Sequence, residues 1–179
     1  MSKIVLVLSS SPRRGGNSDR LCDQFILGAR EAGHRAEKVF LRDKKINYCI
    51  GCEACQGNGG ACVQKDDMAE IMAKMLAADV IVMATPVYFY TMAAQMKTLI
   101  DRTVCRYTDL RDKELYFIAT AANDSQPAME RTIEGFRGFT SCLSGAKEMG
   151  IIYGTGAWKA GEIKGHPAMK QAYELGKSL

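Results

Sequence analysis

Apolar residues recur along this chain in short unbroken runs separated by stretches with helical spacing. Ile4 to Leu8, Val80 to Ala84 and Ile151 to Tyr153 are continuous apolar runs, and Leu115 to Thr120 is a run closed by a threonine, the pattern of strands buried on both faces of a parallel sheet. His34 to Leu41 predicts a further strand, with Ala36, Val39 and Leu41 as its apolar positions. Between the runs, Leu21, Phe25, Ile26 and Ala29 share one helical face, and Gly33 follows where a left-handed cap is needed. Met68, Ile71, Met72, Met75 and Leu76 define a second helix starting near Asp66 or Asp67. Met92, Met96, Leu99, Ile100 and Val104 define a third, with Lys97, Asp101 and Arg102 off the apolar face. A long helix is predicted from Gln126 to Met149, carrying Met129, Ile133, Phe136, Cys142 and Leu143, and a last one from Pro167 to Lys177.

Strands alternating with helices imply right-handed crossovers and a parallel sheet. Five such strands fit a three-layer, doubly wound α/β fold of order 2-1-3-4-5, one domain over residues 1–179. Its ligand crevice lies at the C-terminal ends of the first and third strands. Two unusual loops fall there. After the first strand, Ser9-Ser10-Ser11-Pro12-Arg13-Arg14-Gly15-Gly16-Asn17-Ser18 leads directly into a helix; after the third, Thr85-Pro86-Val87-Tyr88-Phe89-Tyr90 carries three aromatics.

The first loop has the chemistry of an anion site. Backbone N–H groups at a helix N-terminus point at a bound phosphate, the helix dipole favours its charge, and hydroxyls and an arginine add charge-assisted bonds. Ser9, Ser11, Arg13, Asn17 and Ser18 are the candidate ligands. Neither G-x-x-x-x-G-K-[ST] nor G-x-G-x-x-G is present, so the loop suits a terminal phosphate monoester rather than a nucleoside triphosphate or a dinucleotide. The second loop offers aromatic and backbone surface beside it.

Composition narrows the setting. Of 179 residues 47% are hydrophobic, enough for a sizeable core, and no apolar run approaches a membrane span. The net charge of +4 is scattered among acids, which argues against a nucleic-acid stripe. A cytoplasmic protein is expected, with no membrane or nucleic-acid partner. Seven cysteines are the anomaly. Cys22, Cys105 and Cys142 fall in helical patterns and read as small core hydrophobes. Cys49, Cys52, Cys55 and Cys62 crowd into the aperiodic stretch Arg42 to Asp66, at about 25 residues long enough to be functional. In a reducing compartment such crowding points to metal or redox chemistry.

Together these motifs resemble the flavodoxin-like FMN reductases, and within them the iron–sulfur flavoprotein group. Ser11-Pro12-Arg13-x-x-Gly16-Asn17-Ser18 is similar to the family's phosphate loop, and Thr85-Pro86-Val87-Tyr88-Phe89, followed by Lys97 and Asp101-Arg102, to its isoalloxazine loop and following helix. Cys49-x-x-Cys52-x-x-Cys55-x6-Cys62 is similar to the compact cysteine motif of the iron–sulfur members. The resemblance implies FMN held at its phosphate by Ser9, Ser10, Ser11, Arg13, Gly16, Asn17 and Ser18. Its ring would meet Thr85, Pro86, Val87, Tyr88 and Phe89 on one side and Ala121, Ala122, Asn123 and Asp124 on the other. Ser10 departs from the glycine common in relatives and would slightly alter the backbone approach to the phosphate. The flavin would carry the redox chemistry, so no catalytic side chain is expected.

For the cysteine loop three readings stand: a [4Fe–4S] cluster on Cys49, Cys52, Cys55 and Cys62, a zinc ion, or free thiols. The resemblance also implies a homodimer or homotetramer, with the cysteine loop turned toward a neighbouring flavin. The electron donor would be NAD(P)H or a ferredoxin-like protein, and the acceptor a small molecule or a redox partner. The competing readings are a cluster-free NAD(P)H-dependent FMN or quinone reductase, a flavodoxin-type carrier, which the positive charge disfavours, and a redox sensor. Gly154, Gly156 and Gly161 around Trp158 form another loop near the sheet's far edge, whose roles could be substrate access, oligomerisation or, as the favoured reading, packing, and His34 and His166 are expected to lie at the surface.

Overall fold

The computed structural model describes residues 1–179. Its elements are β1 (Ile4–Ser9), α1 (Asn17–Glu31), β2 (Arg35–Phe40), the single turn α2 (Ala54–Gly57), α3 (Met68–Ala77), β3 (Val80–Tyr88), β4 (Thr91–Met92), α4 (Ala94–Arg102), β5 (Glu114–Thr120), α5 (Glu130–Thr140), β6 (Lys147–Gly154) and α6 (Pro167–Lys177). The parallel strands run β2-β1-β3-β5-β6, which is the expected 2-1-3-4-5 winding. No helix is long and apolar enough to cross a membrane.

Both sheet faces are covered, as the unbroken apolar runs require. On one face Leu6, Leu8, Ile81, Met83, Leu115 and Phe117 meet the inner stripes of α3, α4 and α5, and Phe117 stacks on Phe136 with ring centroids 5.0 Å apart. On the other, Val5, Val7, Val82 and Ile118 meet α1 and α6. These two helices approach closely because Gly28 and Gly176 lie at their contact: a Cβ on Gly28 would sit 2.1 Å from the Tyr173 carbonyl oxygen, and one on Gly176 2.1 Å from that of Phe25.

The structure corrects five expectations. A sixth strand exists: β3 runs on to Tyr88, and Thr91–Met92 folds back against it, Tyr88 opposite Thr91. Phe89 (φ 49°) and Tyr90 (φ 65°) make the two-residue turn between them, a tight reversal with no glycine to flag it. The long helix predicted over 126–149 divides into a 3-10 turn at Gln126–Met129, α5 ending at Thr140, and β6 beginning at Lys147. The break falls at Gly145 (φ 72°), whose missing Cβ makes room for the Asp112 carboxylate, and the exposed start of β6 is held by backbone pairing invisible to side-chain periodicity. Cys142 is exposed in this turn rather than in the core, whereas Cys22 is buried as expected. Arg102, placed off the apolar face by its spacing, is 2% exposed, and the aperiodic stretch 42–66 holds one helical turn, α2.

Candidate functional site

The turn after β1 and the hairpin after β3 enclose a cavity of about 340 Å³, within the size range of small-ligand sites. Its wall brings together Ser11, Arg13, Gly16, Asn17 and Ser18 from the first loop, Pro86, Val87, Tyr88 and Phe89 from the second, and Ala121 and Ala122 from the end of β5. Three observations suit an anionic tail at the α1 end. The first-turn N–H groups of α1 have no intrahelical acceptor. The Ser18 hydroxyl is buried without a hydrogen-bond partner. A Cβ on Gly16 would lie 2.7 Å from Ser11 Oγ and 2.9 Å from the Arg13 carbonyl oxygen, so only glycine lets the turn close this tightly.

Five predicted residues lie behind the wall rather than in it. Ser9 Oγ donates to Asp19 Oδ1 at 3.2 Å, and Ser10 Oγ donates to the Ala84 carbonyl at 2.8 Å, tying β1 to β3. Thr85 Oγ1 donates to the Pro86 carbonyl and accepts from the Ala93 N–H, both at 2.9 Å, fixing the base of the hairpin. Asn123 accepts from the Ser125 N–H and, through its carbonyl, from that of Gly156; neither it nor Asp124 lines the cavity.

Sequence reasoning missed a third side. The loop between β6 and α6 folds over the phosphate turn and adds Ala157 and Trp158 to the wall. Asn17 ties it there: the side-chain amide donates to the Ala157 and Lys159 carbonyls (3.1 and 3.0 Å), and its oxygen accepts from the Gly161 and Ile163 N–H groups (2.9 and 3.3 Å). The Asn17 side chain is thereby spent on the protein itself. Arg13 Nη1 donates to the Trp158 carbonyl at 3.1 Å, and the Trp158 ring is 70% exposed at the mouth. The only available signal was the run of glycines around the chain's single tryptophan.

Beneath the turn, Asp19 accepts from the Gly15 N–H at 2.9 Å and pairs with Lys38 at 2.7 Å. Burial acts to lower the Lys38 pKa, and the Asp19 and Asp23 carboxylates outweigh it, holding the ammonium charged. This pair rigidifies the loop without placing a carboxylate in the wall.

A second cavity, of about 250 Å³, is lined by Cys49, Cys52, Cys55 and Cys62 together with Cys105, Ile50, Val104 and Arg102. All four predicted cysteines thus share one hollow, with a fifth that periodicity had placed in the core. No three His, Cys, Asp or Glu groups converge tightly enough to hold a single metal ion. Zinc would need its sulfurs about 3.8 Å apart, given a Zn–S bond near 2.3 Å in a tetrahedron. A cuboidal iron–sulfur cluster holds each thiolate on a separate corner iron and so accepts a wider ring of sulfurs around a cavity. The donor set fits such a cluster better than an ion. Burial, and then the neighbouring Cys62 and Cys55 sulfurs, push the Cys105 thiol up.

The family model described as NADPH-dependent FMN reductase matches residues 4–139. An iron–sulfur flavoprotein of Methanocaldococcus jannaschii is 34% identical over 98% of this chain and 94% of its own length. Another from Archaeoglobus fulgidus is 43% identical over 56% of this chain, a stretch that spans 44% of that relative. Among solved structures, NAD(P)H:quinone oxidoreductase from Methanothermobacter marburgensis superposes with a TM-score of 0.77 over 99% of this chain and 96% of its own, at 17% identity, a likeness of fold alone.

Proposed function

The chain belongs to the NADPH-dependent FMN reductase family, in its iron–sulfur flavoprotein group, and from that premise we propose that it is a flavin-dependent oxidoreductase whose cavity between β1 and β3 holds FMN. The observation that carries the reading is the unpartnered Ser18 hydroxyl at the α1 N-terminus, facing a turn that only Gly16 lets close. A phosphate oxygen there would satisfy Ser18 and the free first-turn N–H groups, while Arg13 and Ser11 complete the charge and the donor set. Pro86, Val87, Tyr88 and Phe89 would flank the ring on one side, Ala121 and Ala122 on the other, and Trp158 would close the outer edge. Bound FMN supplies the chemistry, taking a hydride from NAD(P)H or single electrons from a carrier. The protein orients the ring, excludes water from its buried side and leaves one approach open past Tyr88, Phe89 and Trp158 for donor and acceptor.

The four cysteines of the second cavity would hold a [4Fe–4S] cluster, which passes single electrons. A ferredoxin-like or small-molecule redox partner then exchanges electrons with the protein, and a homodimer or homotetramer would bring one subunit's cysteine loop toward another's flavin cavity. The seven unpaired cysteines suit a reducing, cytoplasmic setting. The reading without a cluster, an NAD(P)H-dependent FMN or quinone reductase, requires only the first cavity.

Adding FMN to flavin-free protein while following Trp158 emission tests the first cavity, because the single tryptophan sits in its wall. Saturable quenching with one FMN per chain is expected; no quenching and no retained flavin would remove the function. Anaerobic NAD(P)H oxidation with a quinone, compared with reduction by a ferredoxin, then separates the donors.

A further inference from the structure

Arg102 closes α4 and is the largest fully buried side chain in the protein. A guanidinium so buried needs every charge and donor accounted for. Nη1 donates to Asp66 Oδ2 at 2.6 Å and to the Asn47 carbonyl at 2.7 Å; Nη2 donates to Asp66 Oδ1 at 3.0 Å and reaches Cys62 Sγ at 3.5 Å. Nε, equally buried, has no partner. The Asp66 side chain is itself fully buried and accepts from the Asn47 and Met68 N–H groups. One ion pair therefore grips the chain just before Cys49 and just after Cys62, clamping the cysteine loop at both ends. Arg102 also stands in the walls of two adjoining cavities, the cysteine hollow and a neighbour of about 310 Å³ beside Cys62, Cys105 and Met68.

A clamp alone needs no contact with sulfur. We propose that Arg102 is a positioning residue of the cysteine cavity, donating to the Cys62 thiolate and raising the reduction potential of the cluster that the four thiolates hold. The inference rests on the cluster reading of that cavity. Reduction adds one electron, and so one negative charge, to the cluster; hydrogen bonds to its sulfurs and a fixed cation beside it stabilise the reduced state. Asp66 opposes this by partly neutralising the guanidinium. The two partners therefore have opposite effects on potential and the same effect on loop integrity, which separates tuning from clamping.

The test uses the full chain, reconstituted without oxygen with ferrous iron and sulfide and reduced by dithionite, with the cluster potential read by spectroelectrochemistry. Arg102→Lys keeps the charge and the pairing with Asp66, but one ammonium does not span both the carboxylate and Cys62. It is expected to lower the equilibrium constant for reduction about tenfold, a fall of about 59 mV for one electron. Asp66→Asn is expected to raise the potential. Equal potentials in the wild type and Arg102→Lys, both fully loaded with iron and sulfide, overturn the proposal, and so does a fall in both variants, which is the signature of a loosened loop. If Arg102→Lys takes up no cluster, Asp66→Asn decides alone: a rise supports the proposal, and an unchanged or lowered potential overturns it. Failure of the wild type to take up iron and sulfide removes the cluster reading, and the inference with it.

Discussion

Asn17 and Gly161 are joined by a 2.9 Å hydrogen bond from the Gly161 N–H to Asn17 Oδ1, although 144 residues of chain separate them. Through this bond and its three companions the phosphate turn and the loop carrying Trp158 become one structure. Asn17→Ala strands several partly or fully buried backbone groups, at about 1–3 kcal/mol each for those that water does not reach. Thermal unfolding of the variant should shift downward, and FMN affinity should fall at least about tenfold, which is about 1.4 kcal/mol. Isothermal calorimetry with FMN measures the second effect. An unchanged affinity would show that Trp158 and its loop are not part of the binding wall.

Ser18→Ala separates ligand binding from stability by sign. In the flavin-free protein the hydroxyl is an unsatisfied buried group, so removing it should leave unfolding unchanged or slightly harder. Removing a donor to a phosphate should weaken FMN binding by about 1.5–3 kcal/mol, roughly tenfold to a hundredfold. Urea unfolding and an FMN binding isotherm on the same sample read both. Loss of stability with intact affinity would mean that the hydroxyl serves the fold.

The parallel sheet, its winding and the two loops at its crevice were legible in the sequence because they are written in local signals: apolar runs, turn residues, and a serine-rich loop placed after the first strand. The rest lies in contacts between distant segments. Asn17 looked like a ligand because its residue type suits a phosphate loop, and only the fold reveals that residues 157–163 consume its side chain. Arg102 fell off the apolar stripe by spacing, yet is buried because Asp66 and the Asn47 carbonyl receive it from another segment. The Phe89-Tyr90 turn was hidden because aromatic residues occupy positive φ where glycine or asparagine would have announced a hairpin.

That turn is strained. Left-handed backbone costs a non-glycine residue about 1–2 kcal/mol, and Phe89 and Tyr90 both adopt it with Phe89 fully exposed. Replacing the pair by Asn-Gly should relieve it and stabilise the protein by about 2 kcal/mol in chemical denaturation. The same change removes aromatic surface from the cavity mouth, so turnover with FMN bound should fall. A variant that is both more stable and fully active would show that the aromatics serve neither ring nor substrate.

Gly28→Ala probes packing remote from both cavities. Its Cβ would meet the Tyr173 carbonyl oxygen at 2.1 Å, between two helix backbones that side-chain rotation does not relieve. A loss of about 3 kcal/mol is expected. FMN affinity of the folded fraction should be unchanged, since Gly28 lies about three turns along α1 from the phosphate end. Circular dichroism melts with and without FMN distinguish the two effects.

Acid sensitivity should centre on Asp66. Burial acts to raise its pKa, but the Arg102 hydrogen bonds and the Asn47 and Met68 N–H groups prevail and hold the carboxyl below its ordinary value of 3.8. A depressed folded-state pKa means that the unfolded chain binds the proton more readily, so this stabilisation is complete above the ordinary value and is lost as pH falls through it toward the folded pKa. Metal-free wild type should therefore lose urea stability steeply below about pH 4. Asp66→Asn should start lower and slope less over that range. Parallel slopes in the two proteins would remove Asp66 as the cause.

Helix α4 follows the aromatic hairpin, whose Pro86 to Phe89 line the first cavity, and ends with Arg102 in the wall of the cysteine hollow, so a rod of nine residues, about 14 Å long, links the hairpin to the second cavity. A rod of that kind acts as a ruler. Loop rearrangements at either end leave the span between the two cavities nearly constant, because α4 is packed along its length against the sheet through Met96 and Leu99. Inserting one helical turn into α4 would lengthen the span between the two cavities while leaving the residues that line each of them intact.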